Sequence, residues 1–160
     1  TNLGTVIAGR RVLLLGAGGA ARGALGPLLA EKPALLVVAN RTAAKAEALA
    51  EHFAADGPVD GCGFTALAGR HFDLVINATS ASLGGEVLPL PAGCYAPGAL
   101  AYDMMYGKGD TAFLAAARAA GVTRLADGLG MLVEQAAEAF FVWRGVRPVT
   151  QPVLEALRQP

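Results

Sequence analysis

The stretch Arg11–Gly23, RVLLLGAGGAARG, constrains the chain more than any other. Val12–Leu15 is a short apolar run without alternation, the pattern of a strand buried on both faces. Gly16, Gly18 and Ala21 then fall at the spacing of a dinucleotide fingerprint, with Ala in the third place. Gly16 allows a tight turn, Gly18 lets backbone approach a pyrophosphate, and Ala21 keeps the next helix close to the sheet. The amides that open that helix, and its dipole, favour an anion. A glycine-rich strand-to-helix turn also occurs as plain punctuation, so the motif needs its context.

That context is an alternation of strands and helices, which argues for one doubly wound parallel α/β sheet of Rossmann type, closed by a C-terminal helix pair. The patterning predicts a helix over about 20–30 with a kink at Gly26-Pro27, a second buried strand at Leu35–Ala39, and a helix Thr42–Phe53 capped by Thr42. A glycine-rich loop at Asp56–Gly63 leads to a weak third strand near Gly63–Thr65, and Leu74–Asn77 reads as a fourth. Ser82–Gly98 is a long connection, Leu100–Asp103 a fifth strand, and Asp110 caps a helix that Gly121 closes. A sixth strand at Thr123–Ala126, a helix about Leu129–Trp143 and a short helix about Gln151–Arg158 complete the chain.

Its 160 residues suit one domain, with 146–160 as a helical tail. Lys plus Arg and Asp plus Glu are both 13, so no net field recruits nucleic acid or a membrane surface. No run approaches the ~18 apolar residues of a membrane span. Cys62, Cys94, His52 and His71 stand apart in the sequence, which supports neither a metal site nor a disulfide framework and makes the cytoplasm the default compartment. The start at Thr1, without Met, reads as a cut chain rather than a natural terminus.

The end of the second strand bears on which dinucleotide is held. An NAD site places Asp or Glu about twenty residues past the glycines; here Asn40, Arg41 and Thr42 occupy that place. Arg41 precedes a helix and Lys45 lies in its first turn, where cations oppose the helix dipole by a few tenths of a kcal/mol or more. Two cations beside free amides make an anion site, for which a 2′-phosphate is the obvious anion; two incidental surface charges are the plain alternative. Asn77-Ala78-Thr79-Ser80 ends the fourth strand, at the edge where doubly wound sheets bind ligands, although these residues equally suit an ordinary turn. In Tyr102-Asp103-Met104-Met105-Tyr106 the plain reading is a loop-capping Asp, core Met residues and a packing Tyr. Met131 and Gln135 share one face of the last long helix, and a Gln there is more often solvated than a ligand.

Taken together, GAGGAARG, NRTAAK, NATS, YDMMY and DGLGMLVEQAAEAF resemble, in order and spacing, the nucleotide-binding domain of the shikimate dehydrogenase family over nearly the whole chain. The resemblance implies NADPH-dependent reduction of 3-dehydroshikimate to shikimate. By position, Gly16, Ala17, Gly18, Gly19 and Ala20 would hold the pyrophosphate. Asn40, Arg41, Thr42 and Lys45 would surround the 2′-phosphate of NADP, and Thr79 and Ser80 would border the cofactor. Met104, the backbone of Gly128, and Met131 would line the nicotinamide, while Tyr106 and Gln135 would touch substrate. The family's catalytic Lys and Asp and its serine-rich substrate pocket belong to an N-terminal domain that this chain does not match. The implied expectation is a chain that binds cofactor without turnover, and whose tail is disordered or pairs two copies. A non-catalytic NADP module is the alternative outside enzymes, and a quinate- and shikimate-using relative the alternative within them.

Overall fold

A computed structural model of the chain describes residues 3–91 and 93–158. Six strands form one parallel sheet: β1 (Arg11–Leu15), β2 (Leu35–Ala39), β3 (Val59–Cys62), β4 (Phe72–Asn77), β5 (Tyr95–Asp103) and β6 (Arg124–Ala126). Their order is β3-β2-β1-β4-β5-β6. The chain therefore winds outward from β1 in one direction, then crosses back and winds outward in the other. The crevice between β1 and β4 is the switch point where such sheets bind ligands at their carboxyl ends.

Alternate side chains of the strands feed two cores. Leu13, Leu15, Val37 and Val75 face α3 (Ala112–Ala119), which contributes Phe113, Leu114 and Ala117. Val12, Leu14, Leu36 and Val38 face α1 (Gly19–Ala30) and α2 (Ala43–His52) through Ala21, Leu25, Ala46 and Leu49. Each fully buried Leu or Val is worth about 1.5–3 kcal/mol of apolar transfer, which is why the unalternating runs fix β1 and β2.

Several boundaries differ from those the sequence predicts. The third strand is Val59–Cys62, not Gly63–Thr65, and Phe64–Leu67 is instead a 3₁₀ turn. β3 has no apolar run because it is an edge strand pressed on α2: a Cβ at Gly61 would lie 2.3 Å from the Ala46 carbonyl oxygen. β5 begins at Tyr95, inside the expected connection, with Pro97 and Gly98 within it and a register shift against β4. Residue 92 of that connection lies outside the described residues. α1 runs as one helix through Gly26-Pro27, where the sequence places a kink. Pro27 and Gly23, whose carbonyl loses a donor to the proline, are both exposed to solvent. The cap of α3 is Thr111 rather than Asp110: the Thr111 hydroxyl accepts from the Leu114 amide at 3.3 Å, and Asp110 accepts from Arg118 Nε at 2.8 Å.

α4 (Leu129–Arg144) and α5 (Gln151–Arg158) form the C-terminal pair. α4 buries only Val133 and Ala137, and α5 buries Leu154. Between this pair and the β4–β5 part of the sheet lies a cavity of about 870 Å³, floored by Leu74, Ile76 and Leu100. The last two residues of the expected tail lie outside the described residues.

Candidate functional site

The site is built on the carboxyl ends of β1, β2 and β4. Gly16 sits at φ +107°, and a Cβ there would lie 3.0 Å from Thr79 Cγ2 and 3.2 Å from the Ala78 carbonyl oxygen, so only glycine fits this turn. The turn is fastened on both sides: the Gly16 amide donates to Ala39 O at 2.8 Å, and the Ala78 amide to Leu15 O at 2.9 Å. A Cβ at Gly18 or Gly19 would meet nothing within 4 Å, which leaves an open cradle above the start of α1. Gly18 provides no side-chain cap, so the first amides of α1 are offered to the crevice.

α2 begins in the same way. Thr42 is its N-cap residue in an extended conformation, but its side chain makes no capping bond. Asn40 Nδ2 donates to Thr42 O at 3.1 Å and thereby shapes the turn, while Arg41, Thr42 and Lys45 are exposed around the helix start. The residues here fit a dinucleotide carrying an extra phosphate: a cradle without Cβ atoms, two uncapped helix starts, and two cations with no carboxylate on the same turn.

The Arg41 guanidinium is not idle. It pairs with the Glu86 carboxylate, 45 residues further along the chain. Glu86 follows the 3₁₀ turn Ala81–Gly84, where its amide donates to Ala81 O at 3.0 Å. No local pattern at Glu86 points to Arg41; only the pairing of β2 and β4 on either side of β1 brings them together.

The third wall is a buried polar network that joins β4 to β5. Asn77 and Asp103 are fully buried, and Asn77 Nδ2 donates to Asp103 Oδ1 at 3.1 Å. Asn77 Oδ1 accepts from the Thr79 amide and hydroxyl at 3.0 and 2.7 Å. Asp103 Oδ1 also takes the Met105 amide at 3.0 Å, and Oδ2 takes the Thr111 hydroxyl at 2.5 Å. These bonds fix the backbone of the Thr79-Ser80 and Met104–Tyr106 loops. Burying such groups unpaired costs roughly 1–3 kcal/mol each, so the network holds as a unit. Burial pushes the neighbouring Tyr102 phenol above its ordinary range, with the Asp127 and Asp103 carboxylates adding to the shift.

Gly128 stands against the same loop. A Cβ there would lie 2.0 Å from the Met104 carbonyl oxygen, and the Gly128 amide donates to Met105 O at 3.0 Å. The start of α4 is therefore tied to the Met104 loop, with glycine required by close approach. Met131 lines the 870 Å³ cavity on the sheet face, and Gln135 and Tyr106 are exposed. The structure thus brings Gly16, Thr79, Asn40 and Arg41 around one crevice and Met104 against Gly128, with Met131 on the sheet-face cavity. Among the described residues no group of His, Cys, Asp and Glu could hold a metal ion, and no helix is long and apolar enough to cross a membrane.

Comparison with known proteins gives a consistent picture. A family model described as Shikimate / quinate 5-dehydrogenase matches residues 2–84, and one described as Shikimate 5'-dehydrogenase C-terminal domain matches residues 128–158. Shikimate dehydrogenase (NADP(+)) of Dechloromonas aromatica is 67% identical over 157 residues, which is 98% of this chain and 57% of that protein. The crystal structure of an Ael1 enzyme from Pseudomonas putida superposes with a TM-score of 0.88 at 55% identity, covering 99% of this chain and 58% of that one. The 5-ketofructose reductase of Gluconobacter sp. strain CHM43 superposes with a TM-score of 0.79 at 31% identity, over 98% of this chain and 59% of that one. The chain spans a little under three-fifths of the length of each of these relatives.

Proposed function

The chain belongs to the shikimate / quinate 5-dehydrogenase family, and on that premise we propose that it is the NADP(H)-binding domain of an enzyme that reduces 3-dehydroshikimate to shikimate. The observation that carries the cofactor reading is the pair of exposed cations, Arg41 and Lys45, at an uncapped helix start where Asn40 replaces the usual acidic residue. The NADP(+) in the name of the Dechloromonas relative supports it.

In this reading the Gly16 turn places Ala17–Ala20 so that their backbone amides receive the pyrophosphate, and Asn40, Arg41, Thr42 and Lys45 receive the 2′-phosphate. Thr79 and Ser80 border the cofactor from the β4 side, with Thr79 held by Asn77. Met104, the Gly128 backbone and Met131 form the nicotinamide end, and Tyr106 and Gln135 touch substrate. When bound, the nicotinamide supplies the hydride; this domain's part is to bind and orient. The acid-base group and the rest of the substrate pocket come from the part of the protein beyond this domain. Which hydroxylated ketone is reduced is read there.

Chemical-shift mapping tests the placement. Titration with NADP⁺ is expected to move the amides of residues 16–20 and 40–45 first. Shifts confined to the groove between α4 and the sheet would contradict it.

The C-terminal pair also exposes large apolar side chains. Phe140, Phe141, Val142, Val146 and Val149 are exposed, and Trp143 is 82% exposed. Extensive exposed apolar surface marks interfaces. We propose that residues 146–160 and this end of α4 dock on the rest of the full-length protein, and that in the isolated chain this surface pairs two copies. Light scattering is expected to show a dimer that grows with concentration and is weakened by Trp143→Lys. A monomer at every concentration would contradict the pairing.

A further inference from the structure

We propose that Glu86 is a specificity-determining residue: it is the internal counter-anion of Arg41, and a 2′-phosphate must displace it to bind. The proposal rests on the NADP(H) reading of the crevice. Arg41 lies two residues beyond β2 and Glu86 nine beyond β4, and both strands pair with β1. Their ion pair therefore joins the two loops that flank the glycine turn, across the mouth of the crevice. Arg41 is 72% exposed and Glu86 50% exposed at the side chain, so the pair is wet and can be opened at little cost.

A phosphate monoester carries close to two negative charges at neutral pH, offers three acceptor oxygens to the guanidinium fork, and has Lys45 beside it. It outcompetes one carboxylate for Arg41. The displaced Glu86 then remains near a dianion that it repels. A dinucleotide with a free 2′-hydroxyl displaces nothing: it meets the pair intact, and the Glu86 carboxylate, held from the β4 side, can accept the ribose hydroxyl in place of the acidic residue that Asn40 is not. Glu86 thus penalises the phosphorylated cofactor and favours the unphosphorylated one, holding the selectivity below what Arg41 and Lys45 alone would give.

The test is calorimetric titration of the chain, wild type, Glu86→Gln, Arg41→Gln and the double variant, with 2′,5′-ADP, 5′-AMP, NADP⁺ and NAD⁺ at low salt. Glu86→Gln is expected to tighten 2′,5′-ADP and NADP⁺ by about two- to fivefold, the range of an exposed ion pair, and to leave 5′-AMP and NAD⁺ unchanged or weaker. In the Arg41→Gln background the same substitution is expected to change 2′,5′-ADP binding by less than half as much. Glu86→Ala is expected to act in the same direction. An unchanged or weakened 2′,5′-ADP affinity in Glu86→Gln, or an equal effect with and without Arg41, overturns the role of Glu86 while the wild type still prefers the phosphorylated probes. Wild-type affinities that are equal for 2′,5′-ADP and 5′-AMP overturn the cofactor reading, and this inference with it.

Discussion

Saturated with NADP⁺ and supplied with excess shikimate, the chain by itself is expected to form no NADPH above the rate in enzyme-free solution. Hydride removal from the substrate's carbinol carbon needs a proton taken from its oxygen, and a positioned acid-base group contributes about 10²–10⁴-fold to such a step. Holding the substrate against the nicotinamide adds several kcal/mol more. Asp103, Tyr102 and the two histidines are poorly placed to serve. Asp103 is fully buried, and both its oxygens are engaged, by Asn77 Nδ2, the Met105 amide and the Thr111 hydroxyl. The Tyr102 phenol is pushed up by burial and so keeps its proton at neutral pH. His52 closes α2 at the end away from the crevice, against Arg22, and His71 precedes β4 at the opposite edge of the sheet, with Nδ1 2.6 Å from Gly93 O. Absorbance of the reduced nicotinamide, followed after cofactor binding is confirmed, checks this. Turnover that disappears in Tyr106→Phe would show that the catalytic group lies in this domain.

Arg41→Ala is expected to weaken NADP⁺ binding by about 10- to 150-fold, since a hydrogen bond to a charged group is worth roughly 1.5–3 kcal/mol. The phosphate loses the guanidinium for which the Glu86 carboxylate competes. NAD⁺ binding should barely change, because no phosphate is lost from its contacts. Isothermal calorimetry on the variant separates the cases: equal losses for both cofactors would mean that Arg41 supports the fold of the turn rather than the phosphate.

What the sequence shows and what it conceals divide along physical lines. Strands buried on both faces, such as Val12–Leu15 and Leu35–Ala39, write themselves as apolar runs, and the glycine turn writes itself because Gly16 needs a left-handed φ against Thr79. β3 does not, since an edge strand packed on α2 needs Gly61 where a run would need a branched side chain. The start of β5 is masked by Pro97 and Gly98. Thr111, not Asp110, caps α3 because Asp103 anchors its hydroxyl, a contact 8 residues away that no capping rule anticipates. For Asp103 the plain reading of a loop-capping carboxylate agrees with the structure. The Arg41–Glu86 pair is the furthest from legible: Arg41 stands out in its segment but Glu86 does not, and only the sheet order makes them partners.

Whether this chain by itself is a binding domain selective for the phosphorylated dinucleotide is decided by titrating the wild-type chain with NADP⁺ and with NAD⁺ at low and at high salt. NADP⁺ is expected to bind at least about tenfold tighter at low salt, as one charge-assisted contact requires. The advantage should shrink as salt screens the exposed cations. Equal affinities for the two cofactors, or a preference that salt leaves untouched, would contradict that selectivity.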